Sequence, residues 1–149
     1  MVSPRFHEIT RICEKHGIAL MCLFGSQADA GLAYLEGKEV HTGDDPLADL
    51  DIGVVFLKGL PKEDTATLYA SIYNDLGDVF FPFVLDLSFL EENHSVFQAE
   101  ALTGICVYAV NEEFRERYTE DVLRRAADFK PFWDRYLDEY LEGVLNHGR

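Results

Sequence analysis

Two aspartates enter an otherwise apolar run one residue apart, in Asp49-Leu50-Asp51-Ile52-Gly53-Val54-Val55-Phe56-Leu57. Side chains alternate faces along an extended strand. Asp49, Asp51, Gly53 and Val55 therefore share one face, and Leu50, Ile52, Val54 and Phe56 share the other. The second set is uniformly apolar and belongs against a core. The first presents two carboxylates and then a glycine that leaves room for a ligand. A third carboxylate, Asp86, lies in a later strand-like run, residues 83–89, on a face with Val84 and Ser88. At about 5 Å and an effective dielectric near 20, each pair of such carboxylates repels by roughly 3 kcal/mol. A fold that gathers all three is expected to hold a cation between them. Hard oxygen ligands of this kind suit Mg²⁺ or Mn²⁺, which bind one or two carboxylates together with substrate phosphates.

The apolar run at residues 19–24 ends in Gly25-Ser26. A strand that ends in Gly-Ser and opens a helix offers a phosphate backbone N–H groups, a hydroxyl and the positive end of a helix dipole. Gly25 lets the phosphate approach the backbone closely. The chain has no Gly-x-x-x-x-Gly-Lys-Ser/Thr and no Gly-x-Gly-x-x-Gly, so neither a P-loop nor a dinucleotide fold is supported.

The rest of the chain fits an α/β (α+β) architecture, a mixed sheet flanked by helices. A first helix is expected from Ser3 as N-cap and Pro4 at its first position to Gly17 as closing residue. A short helix follows Gly25-Ser26 to about Leu35, and residues 36–48 form a polar loop with Asp44-Asp45-Pro46 as a solvated turn and His41 as a loop histidine. A helix after Pro61 is expected to end at Gly77. Another spans about 92–103, with His94 capping its start or exposed, and a short strand covers 105–110. Residues 111–145 read as helix, Pro131 marking a kink or a fresh start. At 149 residues the chain is read as one domain, with a core of about 1–110 and a C-terminal helical region of 111–149.

Composition limits the partners. Asp and Glu outnumber Lys and Arg by 27 to 13, for a net charge of −14. Nucleic-acid binding draws most of its affinity from phosphate neutralisation, so a polynucleotide substrate is not expected. A basic protein partner, or a small substrate held through metal ions, fits better. No apolar run reaches membrane-spanning length, and the first residues lack a signal peptide's hydrophobic stretch. Cys13, Cys22 and Cys106 sit far apart in sequence within apolar patterns and read as buried thiols of a cytoplasmic protein, not as a disulfide or zinc framework.

Gly25-Ser26, Asp49-x-Asp51 and Asp86, each on or after a strand, resemble the signature of the polymerase-beta-type nucleotidyltransferase superfamily. In size, and in the run 121–145, the chain is similar to its minimal nucleotidyltransferases, the antitoxin partners of HEPN-type toxins. The resemblance implies a nucleotidyltransferase-like fold with a C-terminal helical extension. It implies that Gly25 and Ser26 hold the triphosphate of ATP and that Asp49 and Asp51 bind two Mg²⁺ or Mn²⁺ ions. Asp86 would bind one ion and help deprotonate the acceptor. It further implies transfer of AMP to a tyrosine of a cognate HEPN-type RNase toxin.

Two features depart from the family pattern. The turn commonly reads Gly-Ser-x-Ala-Arg-Gly, whereas here it is Gly25-Ser26-Gln27-Ala28-Asp29-Ala30. The 22 positions between Ser26 and Asp49 also exceed the usual spacer. Both bear on triphosphate affinity and leave the carboxylates untouched. They keep open a catalytically weak antitoxin that neutralises its partner by contact. A nucleotidyltransferase for a small, aminoglycoside-like substrate is the other alternative. The aromatic stripe Phe129, Phe132, Trp133, Tyr136 and Tyr140 ordinarily means core packing. On a terminal helix some of these rings are candidates to face a partner or to join homo- or hetero-oligomers.

Overall fold

The computed structural model describes residues 3–40 and 48–147, and after residue 129 the side chains of Arg135, Asp138, Leu141 and Glu142. Asp44, Asp45, Pro46 and His41 lie outside the described residues, as do the side chains of Phe132, Trp133, Tyr136 and Tyr140.

Helix α1 (Pro4–His16) has the expected ends. Ser3 accepts a hydrogen bond from the Phe6 N–H at 3.3 Å, and Gly17 closes the helix in the left-handed conformation with φ 68. Strand β1 (Ile18–Phe24) is buried along its whole length, as a continuous apolar run requires of a central strand. Helix α2 (Ala28–Leu35) follows, then β2 (Leu50–Phe56), α3 (Thr65–Phe80), β3 (Leu85–Phe89), a 3-10 turn (Leu90–Glu92), α4 (Ser95–Leu102), β4 (Ile105–Ala109) and α5 (Glu112–His147). The sheet runs in the order β3-β2-β1-β4. β1 pairs antiparallel with both β2 and β4, while β2 and β3, joined through α3, pair in parallel. The mixed sheet flanked by helices is thus as expected from the sequence.

Each face of the sheet has its own core. On one, Leu50, Ile52, Val54 and Phe56 pack with Ile9, Ile12 and Cys13 of α1 and Ile72, Leu76 and Phe80 of α3. Burying each large aliphatic or aromatic side chain contributes about 1.5–3 kcal/mol. On the other face, Leu20, Cys22, Phe24 and Val55 meet Ala101 and Leu102 of α4 and Val122 of α5. Buried Gln98 links those two helices: it accepts a hydrogen bond from the Tyr118 hydroxyl at 2.5 Å and donates to the Asn93 carbonyl at 2.8 Å. At the far end of the first core, Asp75 of α3 receives both Lys15 and His16 of α1, at 3.0 and 2.8 Å.

Several boundaries differ from expectation. Helix α3 starts at Thr65, after Asp64 in a left-handed conformation, and runs through Gly77 to Phe80. Ile72, Leu76 and Phe80 recur every fourth residue and are fully buried. That burial outweighs the roughly 1 kcal/mol a mid-helix glycine costs. The helix stops where Pro82 disfavours helical backbone at the residue before it. His94 caps α4, its Nδ1 accepting from the Val96 N–H at 3.2 Å, and its ring meets that of Phe129 at 4.3 Å. α5 runs as one element through position 131, so Pro131 marks no fresh start.

Candidate nucleotidyl-transfer site

The register of three strands brings the expected residues to one end of the sheet. Asp51 lies opposite Phe24, the last residue of β1, and Gly25-Ser26 follows at once. On its other side Asp51 is the parallel register partner of Asp86. Asp49 stands two residues before Asp51, just ahead of β2, and is half-buried.

Gly25 has φ 74, and a β-carbon there would lie 2.1 Å from Asp51 Oδ2. The carboxylate is packed onto the turn, and only glycine leaves it that space. Gly25 and Ser26 are both exposed. Ser26 does not itself open the helix. α2 begins two residues later, after Gln27, whose side chain makes no cap hydrogen bond. The Gly25 carbonyl instead accepts from the Ala28 N–H at 3.3 Å, folding the turn into the helix start. Asp29, acidic and exposed, sits in the first turn of α2.

The electrostatics centre on Asp51, whose carboxyl is pushed up to about 6. Burial is the main cause, followed by the charge of Asp86 and a hydrogen bond with it, then the charges of Asp49 and Glu100. Asp51 therefore holds its proton up to about pH 6, where an ordinary carboxyl is already ionised. Among the described residues, no three carboxylates, imidazoles or thiols are gathered closely enough to hold an ion by themselves. The fold closes up a pair, with Asp49 acting on it through charge. A pair of carboxylates is the protein's usual share of a Mg²⁺ shell that substrate phosphates complete, so the donor chemistry fits such an ion.

Two expectations about this face need correction. Gly53 leaves no room for a ligand: a β-carbon there would lie 2.7 Å from Leu90 Cδ2, so Leu90 fills the space. Val55 is buried under α4 and α5, so the aspartate face is open only at its Asp49 and Asp51 end.

Glu100 on α4 and Tyr69 on α3 also act on the carboxylates. Glu100 adds negative charge at Asp51. The Tyr69 hydroxyl donates to the Leu87 carbonyl at 2.8 Å on β3, and burial and the Asp86 charge push its pKa up. Neither belongs to a motif. Only the tertiary contacts reveal them. Surface hollows along α5, lined in part by Phe114, Arg117 and Tyr118, contain none of the expected site residues.

Comparison with solved structures places this arrangement among known folds. A toxin–antitoxin complex crystallised with AMP-PNP contains a chain of TM-score 0.63 and 14% identity, the match covering 91% of this chain and 98% of that one. The Shewanella oneidensis HEPN toxin, tri-AMPylated and in complex with its MNT antitoxin, gives TM-score 0.63 and 14% identity, over 92% and 96%. An MntA–HepT toxin–antitoxin structure gives 0.60 and 14%, over 92% and 97%. At such identities the likeness establishes a common fold. No curated protein sequence matches the chain. The family model described as "Polymerase beta, Nucleotidyltransferase" matches residues 7–113, which include Gly25, Ser26, Asp49, Asp51 and Asp86. The chain belongs to the polymerase beta nucleotidyltransferase family.

Proposed function

We propose that this nucleotidyltransferase moves AMP from ATP, with Mg²⁺ or Mn²⁺, to a tyrosine hydroxyl of a HEPN-type toxin, and thereby acts as the toxin's antitoxin in the cytoplasm. The observation that carries this reading is the register pairing of Asp51 with Asp86 against the Gly25-Ser26 turn. Its neighbours of like fold include a MNT antitoxin in complex with a tri-AMPylated HEPN toxin, and a toxin–antitoxin complex with AMP-PNP.

Gly25 and Ser26 hold the triphosphate, the glycine by close backbone approach and the serine through its hydroxyl. Asp51 and Asp86 are the paired ion ligands, Asp49 adds its charge and joins them as a ligand only with ion and triphosphate in place, and Asp86 also takes the proton of the acceptor hydroxyl. The ions, when bound, supply charge stabilisation to the attacking and leaving oxygens of an in-line displacement. An ion held there would offset the like charges of Asp51 and Asp86. The acidic surface suits a basic partner rather than a nucleic acid.

Incubating the protein with a cognate HEPN-type partner, mixed nucleoside triphosphates and Mg²⁺, followed by intact-mass and peptide analysis of the partner, tests the proposal. The expected result is one or more adenylates on tyrosine, lost with Asp51→Asn. A second reading has support in Asp29, whose exposed carboxylate in the first turn of α2 opposes triphosphate binding. A toxin silenced by stoichiometric binding, with no adenylate, would replace enzyme by binder.

A further inference from the structure

Strands β1 and β4 place Cys22 and Cys106 face to face, as register partners of an antiparallel pair. Directly opposed residues in such a pair have Cα atoms about 4.5–5.5 Å apart, within the roughly 4.4–6.8 Å that a disulfide spans. Opposed side chains leave the sheet on the same side, and both cysteines pack in the cluster beneath α4 and α5. The register slips between Met21 and Cys22, so the pair sits where strand spacing is already irregular. Both are free thiols. Cys13 is no rival partner, because it belongs to the core on the opposite face of the sheet.

The two sulfurs are not equivalent. Cys22 is 1% exposed in the central strand, whereas Cys106 is half-buried on an edge strand. A hydrogen bond from Cys22 is the main cause that draws the Cys106 thiol below its usual range, with the Arg115 charge helping and burial and Glu112 opposing. The Cys22 thiol is pushed up, by the same hydrogen bond and by burial. Arg115 and Glu112, themselves 3.6 Å apart, are the charged groups that α5 turns toward Cys106. When protonated, Cys106 Sγ also has the Tyr108 carbonyl as an acceptor at 3.3 Å. A half-buried cysteine on an edge strand, its thiol drawn toward the thiolate, with a fully shielded thiol opposite it, is the arrangement of an attacking and a resolving cysteine.

We propose that Cys106 and Cys22 form a peroxide-sensitive thiol pair that closes a cross-strand disulfide between β4 and β1. The Cys106 sulfur attacks one peroxide oxygen and breaks the O–O bond. It becomes a sulfenic acid, and the other oxygen leaves as water. The Cys22 sulfur then attacks the Cys106 sulfur, and the S–O bond breaks. The hydroxyl departs with the Cys22 proton as a second water. Two thiols are thereby oxidised by two electrons, and one peroxide is reduced to two waters. A thiol reductant reverses the linkage by exchange.

The test uses the folded, full chain, exposed to hydrogen peroxide at neutral pH, alkylated, digested and mapped by mass spectrometry. Circular dichroism during exposure checks that it stays folded. The expected result is a peptide linking Cys22 to Cys106 that dithiothreitol removes, while Cys13 alkylates only after unfolding. Cys22→Ser should leave Cys106 as a sulfenic acid trapped by dimedone, and Cys106→Ser should leave Cys22 unoxidised. The proposal is overturned if the folded parent accumulates the dimedone adduct with no linked peptide, if the link forms only after unfolding, or if both thiols stay unreacted. Because the parent protein alone distinguishes these outcomes, poor folding of either variant does not shelter the idea.

Discussion

Asp51 Oδ2 stands 2.1 Å from the point where a β-carbon on residue 25 would lie. The turn and the carboxylate therefore constrain one another, which two separate sequence motifs do not reveal.

Gly25→Ala tests that constraint. The left-handed backbone at φ 74 costs a non-glycine residue about 1–2 kcal/mol, and the new methyl group displaces the Asp51 carboxylate. The melting temperature should fall accordingly. Nucleotidyl transfer should fall further, since a misplacement near 1 Å can cost roughly a hundredfold in rate. A variant equal to the parent in both measurements would mean that Asp51 does not pack on the turn.

Asp51 gives a pH dependence of unusual sign for a carboxylate. Its folded-state pKa is raised to about 6 from 3.8, so the folded chain holds the proton more tightly than the unfolded one. The associated stability is fully present below the unfolded value and is lost as pH rises through about 6. In divalent-free buffer, thermal denaturation from acidic to neutral pH should show the parent losing ground to Asp51→Asn. Parallel melting curves for the two proteins would refute the raised pKa.

Divalent ions should reverse that cost. An ion that binds only the native state stabilises it by about 2.7 kcal/mol at a hundred times its Kd. Mg²⁺ or Mn²⁺ should therefore raise the melting temperature of the parent. Asp49→Asn and Asp51→Asn should respond less, while being at least as stable as the parent without metal. A parent indifferent to millimolar concentrations of either ion, together with a strongly destabilised Asp49→Asn, would make Asp49 a structural acceptor instead.

Gly53 has a different role from the one its position beside the aspartates suggests. Leu90, fully buried, occupies the space above it, 2.7 Å from a β-carbon built there. Gly53→Ala should cost about 1–3 kcal/mol of stability through overpacking. The same substitution in a Leu90→Ala background should cost less. Additive losses in that double-mutant cycle would show that the two positions do not compete for space.

Features that depend on short-range periodicity and local backbone chemistry are legible along the chain. The alternation in residues 50–56 assigned Leu50, Ile52, Val54 and Phe56 to a core. Ser3 and Gly17 marked both ends of α1, because a cap is decided within a few residues of the helix it closes. Local signals failed where a distant contact outweighed them. Gly77 did not stop α3, because Phe80 gains more by burial than the glycine costs. Strand order and helix packing settle that Asp86 pairs with Asp51, that Glu100 adds its charge there, that Leu90 fills the space over Gly53, and that Cys22 faces Cys106. Each of these relations depends on strand order and register, or on how a helix packs over the sheet. Those are set by the burial of whole faces and leave no periodic trace in the residues they bring together.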